Sequence, residues 1–169
     1  YIKEESKRLP IMIQYILGQV IKKLMNIGIV LKPLYFGLNK NYKTQNGVNL
    51  GKLNKEELAQ LYAKADFGLV ASMTNISLVP YEMIATGLPI IEFKEGSFSD
   101  FFPSDTAILI DFDPQTLFEK LIYYIEDGVK IKEMSDRALE FIKQFSWNKT
   151  AEQFYEIIEN VKEKKDKVR

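Results

Sequence analysis

The sequence predicts an α/β fold, an open parallel sheet with helices on both faces. Short apolar runs alternate along the chain with longer stretches of helical period, which is the pattern of repeated strand–helix units. The runs are apolar throughout rather than alternating, as strands covered on both faces are. Residues that open and close helices stand at the joints between them. At 169 residues the chain has the size of one domain with a full core.

Residues 1–9 are charged and read as a lead-in, and Tyr1 in place of Met marks a piece of a longer chain. Pro10 opens a helix through Leu24, with Ile13, Leu17, Val20 and Leu24 on one face, and Asn26–Gly28 end it. Ile29–Phe36 reads as a buried strand that Pro33 moves toward an edge or a bulge. Residues 38–47 form a polar loop, and Val48–Leu50 a short strand. Asn54 and Glu57 have capping-box spacing and open a helix to Ala65. Asp66–Ala71 is a strand, and Val79–Thr86 a helix closed by Gly87. Leu88–Phe93 is a strand, 94–103 an aromatic-bearing loop, and Ala107–Ile110 a fifth strand. Asp113-Pro114 opens a helix to Ile125, and Asp127-Gly128 breaks it. Ile131–Lys143 is amphipathic through Met134, Ala138 and Phe141. Ser146 caps a last helix whose Trp147, Ala151, Phe154, Ile158 and Val161 share a face, and residues 162–169 are a charged tail.

Composition removes several function classes. Hydrophobic residues at 46% and charged residues at 27% are an ordinary globular balance. Lys+Arg and Asp+Glu are 23 each, so no excess of positive charge is present to bind nucleic acid through its phosphates. No apolar run reaches membrane-spanning length, and YIKEESKRLP is not a signal peptide. Without cysteine there are no disulfides and no thiolate metal sites; without histidine the commonest general base and metal ligand are gone.

The most informative stretch is Ala71–Gly87, ASMTNISLVPYEMIATG. An apolar run empties through the small polar loop Ser72–Ser77 into a helix, and Glu82 follows one turn in. Free N–H groups and the helix dipole at such a junction favour an anion, and ligands of open α/β sheets bind beyond the carboxyl ends of the strands. Each residue also has a plain structural reading. Glu82 complements the dipole of its own helix without any ligand. Ser77 serves equally as a turn or cap residue. Thr74 and Asn75 are ordinary loop residues, Gly51 eases a turn, and Lys52 and Arg8 are surface charges. Trp147 reads as a core anchor. Phe98, Phe101 and Phe102 read as core cover, with a cleft lining as the other reading. Asp111 and Asp113 have the look of a metal pair, but a helix N-cap accounts for Asp113, and no metal site is assigned.

Four segments follow one another in order: LNKEELAQLYAKADFGLVAS, TNISLVPYEMIATGLPIIEF, AILIDFDPQTLFEKLIYYIED and FSWNKTAEQFYEII. They resemble, in turn, four parts of the GT-B glycosyltransferases of the group 1, family 4-like type. These are the helix and strand before the donor loop, the loop with its helix and next strand, the following strand and helix, and the closing Ser-Trp helix. The resemblance implies a Rossmann-like domain over residues 1–169, the C-terminal, nucleotide-sugar-binding half of such an enzyme. In that family two glutamates stand eight positions apart. The second matches Glu82 and implies bonds to the ribose hydroxyls; the first falls at Thr74, which is not acidic. Asn75, Ile76 and Ser77 match positions whose backbone meets sugar and phosphate, and Leu78 and Val79 match positions near the ribose. Gly51, Lys52 and Leu53 match the turn that holds the base, and Arg8 the diphosphate-binding basic residue. The form Ser-Leu-Val-Pro-Tyr-Glu-Met is more similar to rhamnosyltransferase-like members.

The resemblance therefore implies a hexosyltransferase-type enzyme of polysaccharide and cell-envelope synthesis. It uses no cofactor and takes a dTDP-, UDP- or GDP-linked sugar as donor. The acceptor glycan and the catalytic residues belong to an N-terminal half, and the expected address is the cytoplasm, with peripheral contact at the inner face of a membrane. The alternative is a non-catalytic α/β module: a scaffold descended from such a half, or a signalling domain using Asp66 and Asp111 near strand ends.

Overall fold

Strand β4, Ile90–Phe93, is buried along its whole length. The computed structural model describes the backbone of residues 5–166 and the side chains of 11–162. β4 lies between β3, Gly68–Leu69, and β5, Ile108–Ile110, and both pairings are parallel. Gly68 pairs with Ile90 and Leu69 with Ile91; Ile91, Glu92 and Phe93 pair with Ile108, Leu109 and Ile110. Successive strand residues point to opposite faces, so one apolar run feeds two cores. Ile91, Phe93, Ile108 and Ile110 join Ile16, Val20 and Leu24 of helix α1, Glu5–Met25, and Leu117 and Leu121 of α5, Pro114–Ile125. Ile90 and Ala107 face the other way. They meet Tyr62 of α2, Lys55–Tyr62, Met83 and Ile84 of α3, Val79–Ala85, and Ala138 of α6, Gly128–Ile142. The α/β architecture with parallel strands and helices on both faces is as the sequence predicts.

The caps are those read from the sequence. Asn54 accepts from the Glu57 N–H at 2.8 Å, while the Glu57 carboxylate accepts from the Asn54 N–H at 2.8 Å. Asp113 accepts from Gln115 and Thr116 N–H groups at 2.7 and 2.9 Å, with Pro114 at the first helical position. The Ser146 hydroxyl accepts from the Lys149 N–H at 3.2 Å, at the start of α7, Trp147–Asp166.

The strands differ most from expectation. Five strands in one sheet are replaced by two sheets among the described residues: β3–β4–β5, and a two-stranded parallel pair of β1, Leu34–Tyr35, with β2, Val48–Asn49. Residues 29–33 are irregular. Pro33 has no N–H to give a ladder, so the expected Ile29–Phe36 strand is reduced to its last part. The Pro33 and Tyr35 carbonyls still accept from Val48 and Leu50 N–H groups at 3.0 and 2.8 Å. A cleft of about 950 Å³ runs between this segment and β3.

Helix boundaries shift too. α1 starts at Glu5, not Pro10. Proline has a helical φ, and at this position it forgoes one N–H bond without ending the helix. α6 starts at Gly128 rather than Ile131, because Asp127 accepts from the Val129 and Lys130 N–H groups at 3.2 and 3.4 Å. The aromatic loop contains a short helix, α4, Phe98–Phe101, in which Phe98 is buried and Phe101 exposed; Phe102, the residue after it, is buried. Core cover therefore holds for two of the three phenylalanines. Trp147 does not anchor the core: it is 80% exposed, and Phe154, Ile158 and Val161 are exposed along the same helix. A helical period shows that an apolar face exists, not what covers it. α7 also continues into the expected tail, whose last three residues lie outside the described ones.

Candidate functional site

β3 delivers the chain into the loop at Ser72, which is held from two sides. Its N–H and hydroxyl donate to the two carboxylate oxygens of Glu92 at 3.1 and 2.7 Å. Its carbonyl accepts from the Ser97 N–H at 2.6 Å and the Ser97 hydroxyl at 2.9 Å. Gly96 passes so close that a Cβ there would sit 2.5 Å from the Ser72 oxygen. Ser72 is 3% exposed and Glu92 is fully buried. Burial pushes the Glu92 carboxyl up, against the hydrogen bonds from Ser72 that pull it down.

Past Ser72 the loop opens. Thr74, Asn75, Ser77 and Leu78 are exposed, while Ile76 and Val79 pack partly against the second core. The Thr74 hydroxyl donates to the Asn75 side-chain oxygen at 3.3 Å, and Ser77 Oγ accepts from the Val79 N–H at 3.3 Å. Leu78 occupies the cap position with helical backbone and no side-chain cap. α3 has seven residues, so its aligned peptides are few and its dipole is short. Glu82 lies exposed in its first turn. Across from it, burial first and the Glu82 charge second push the Tyr62 phenol up. The Tyr62 hydroxyl is buried without a hydrogen-bond partner among the described residues, and the Phe36 ring meets the Tyr62 ring edge-on at 5.8 Å.

Gly51, Lys52 and Leu53 follow β2. Gly51 has φ +76°, a left-handed conformation that suits glycine, and its N–H donates to the Asn49 side-chain oxygen at 2.9 Å. Its carbonyl accepts from the Gly37 N–H at 2.7 Å, tying this turn to the end of β1. Lys52 is exposed and Leu53 half-buried.

Of the donor-site residues singled out in the sequence, Ser77 and Val79 line the cleft, beside Phe36, Leu38 and Tyr62; Asp66, the signalling candidate, lines it too. Thr74, Asn75, Ile76, Leu78, Glu82 and Gly51–Leu53 are not among its lining residues. The side chain of Arg8 lies outside the described residues. Asp111 pairs with Lys94 at 2.9 Å, and Asp113 is a cap whose carboxyl the Thr116 hydroxyl and N–H hold below the usual range. Sequence reasoning missed Ser97, Tyr62 and Glu92, and named Ser72 only as the first residue of the loop. Glu92 carried a signal: it is the one charged residue inside LPIIEF, and a charge inside a buried strand needs partners.

Residues 15–156 match the family described as glycosyl transferase-like. No curated protein sequence matches the chain. Among solved structures, the chain is similar to sucrose-phosphate synthase from Thermosynechococcus elongatus, with a TM-score of 0.59 and 22% identity over 69% of this chain and 30% of that one. HepE from Anabaena, solved in complex with UDP and glucose, gives a TM-score of 0.59 and 19% identity over 68% of this chain and 32% of its own. The same protein in complex with UDP-glucose gives a TM-score of 0.59 and 17% identity, over 85% of this chain and 36% of that one. The chain thus spans about a third of the length of these proteins, and at these identities the likeness is one of fold.

Proposed function

The chain belongs to the glycosyl transferase-like family, and on that premise we propose that it is the donor-binding half of an enzyme moving a sugar from a nucleoside diphosphate to a glycan. One observation carries this reading. The segment that resembles the family's donor loop lies as an exposed loop between a buried parallel strand and a helix bearing Glu82 in its first turn. The roles proposed are those the resemblance implies. Glu82 accepts from the ribose hydroxyls, and amides of Asn75–Ser77 meet the diphosphate. Leu78 and Val79 flank the ribose, Gly51–Leu53 hold the base through backbone groups, and Arg8 adds positive charge. Negative charge developing on the departing diphosphate is then stabilised by fixed donors. Rhamnose is the proposed sugar, on the form of the Ser77–Met83 segment, and the acceptor and the catalytic residues belong to another domain. The address proposed is the cytoplasm, with peripheral contact at the inner face of a membrane, in envelope polysaccharide synthesis. Among the described residues no helix is long and apolar enough to cross a membrane.

A non-catalytic scaffold is the second reading, and Thr74 favours it, since the family's acidic residue is absent there and Thr74 bonds only its neighbour Asn75 among the described residues. Titration of the chain with UDP, dTDP and GDP separates the two. Donor binding predicts saturable binding of one nucleotide, weakened about tenfold or more in Glu82→Ala, the loss of a hydrogen-bonded charge. A scaffold predicts no binding, or binding indifferent to Glu82. Sugar transfer by this chain alone would contradict the assignment of catalysis to another domain.

A further inference from the structure

Glu92 has no place in the donor-binding roles above, yet it is the most fully enclosed charged side chain among the described residues. It sits in the middle strand of the three-stranded sheet, on the face that points to α2 and α3. Among the described residues the side chains and amides that bond its carboxylate are the Ser72 N–H and the Ser72 hydroxyl, with no cation. Packing alone does not ask for a carboxylate here, because an apolar side chain would fill the place without the penalty of desolvating an acid. What the carboxylate does that an apolar group does not is hold two donors of one residue at once. That residue is the first of the loop. From the other side the Ser97 N–H and hydroxyl hold its carbonyl, so every polar group of Ser72 is taken up by the β4–α4 segment. The loop beyond, by contrast, has one side-chain bond between Thr74 and Asn75 and one from Val79 to Ser77.

We propose that Glu92 is a positioning residue of the donor loop: from inside β4 it fixes Ser72, and Ser72, closed on its other side by Ser97, sets where Asn75–Ser77 begin. What the loop grips rests on the donor-binding reading; the clamp itself does not. A loop anchored at one buried residue opens rarely at its base and presents its amides in one arrangement, and preorganised donors bind an anion more tightly than donors that must first be ordered.

The test uses three single substitutions and two readouts. Glu92→Gln keeps an oxygen for the Ser72 N–H and offers an amide hydrogen to the Ser72 hydroxyl oxygen; Glu92→Ala offers neither. Native-state hydrogen exchange of the Ser72–Leu78 amides, referred to those of Ile108–Ile110, reads the clamp. Affinity for UDP, dTDP or GDP reads its consequence. In Glu92→Ala the loop amides are expected to exchange about tenfold faster or more, with the β5 amides following only the change in global stability, and affinity to fall by a similar factor. Glu92→Gln is expected to restore both to within about threefold. Ser97→Ala, which removes one bond from the opposite side and leaves β4 intact, is expected to speed the same amides by about threefold, and it decides the matter if Glu92→Ala does not fold. Loop exchange unchanged in Glu92→Ala and Ser97→Ala, or Gln no better than Ala, overturns the proposal. If the parent chain binds none of the three nucleotides, the donor reading fails while the exchange arm still decides the clamp.

Discussion

The two sheets of this molecule are built from similar sequence and held by different forces. β4 and β5 lie between two helical layers, and Ile90, Phe93, Ile108 and Ile110 are essentially without solvent contact. β1 and β2 are also parallel and each opens on an apolar residue, yet those residues, Leu34 and Val48, are 41% and 44% exposed. What fixes the smaller pair is polar. The Asn49 amide donates to the Asn39 and Tyr42 carbonyls at 2.8 and 2.9 Å, and the buried Gln14 of α1 accepts from the Gln45 N–H at 2.7 Å. A strand's stability is thus set by what covers it, and apolar content alone does not tell the two cases apart.

Truncation should expose the inequality most sharply. Phe93→Ala empties a fully buried site where the Phe93 ring stacks on Phe112 at 4.2 Å, and unfolding free energy should fall by about 3–5 kcal/mol. Val48→Ala should cost under about 1 kcal/mol, because much of that side chain is already in water. Urea titration of both variants is the check, and equal losses would mean that the two-stranded sheet belongs to the same cooperative core as β4.

The polar side of the comparison yields a smaller effect of a different kind. Gln14→Ala leaves the Gln45 N–H without its acceptor, at a cost of about 1–2 kcal/mol. Because that bond ties loop 38–47 to α1, the loss should appear locally, as faster amide exchange in 42–49 with Ile108–Ile110 little changed. Uniform acceleration across both sheets would show that the smaller sheet does not open on its own.

How much of this was legible in the sequence follows the same division. Strand–helix order and the caps at Asn54, Asp113 and Ser146 depend on local chemistry and period, and these are visible in a single chain. The split of the sheet was not visible, because pairing partners lie 14 to 22 residues apart and Pro33 signals a defect without saying which neighbour is lost. At the candidate site, the loop and Glu82 stood out as a strand-to-helix junction. The Ser72–Glu92 pair did not, since two residues twenty apart meet only through strand register. Tyr62 drew no reading of its own within the helix expected to end at Ala65; its buried hydroxyl, without a hydrogen-bond partner among the described residues, and the nearby Glu82 charge distinguish it.

α7 carries the comparison to its limit: among the described residues none of its apolar stripe belongs to either core. Trp147 is 80% exposed and Phe154 65%. Met134, on the neighbouring helix α6, is 2% exposed and belongs to the first core. Trp147 is the larger side chain, so if size or apolarity governed, it would be the more damaging truncation. If cover governs, Met134→Ala should cost about 2–5 kcal/mol and Trp147→Ala no more than about 0.5 kcal/mol. Thermal unfolding of the two variants followed by circular dichroism decides between them. A Trp147→Ala loss as large as that of Met134→Ala would mean that α7 docks onto the domain in solution, and that exposure along this helix does not measure what the helix contributes.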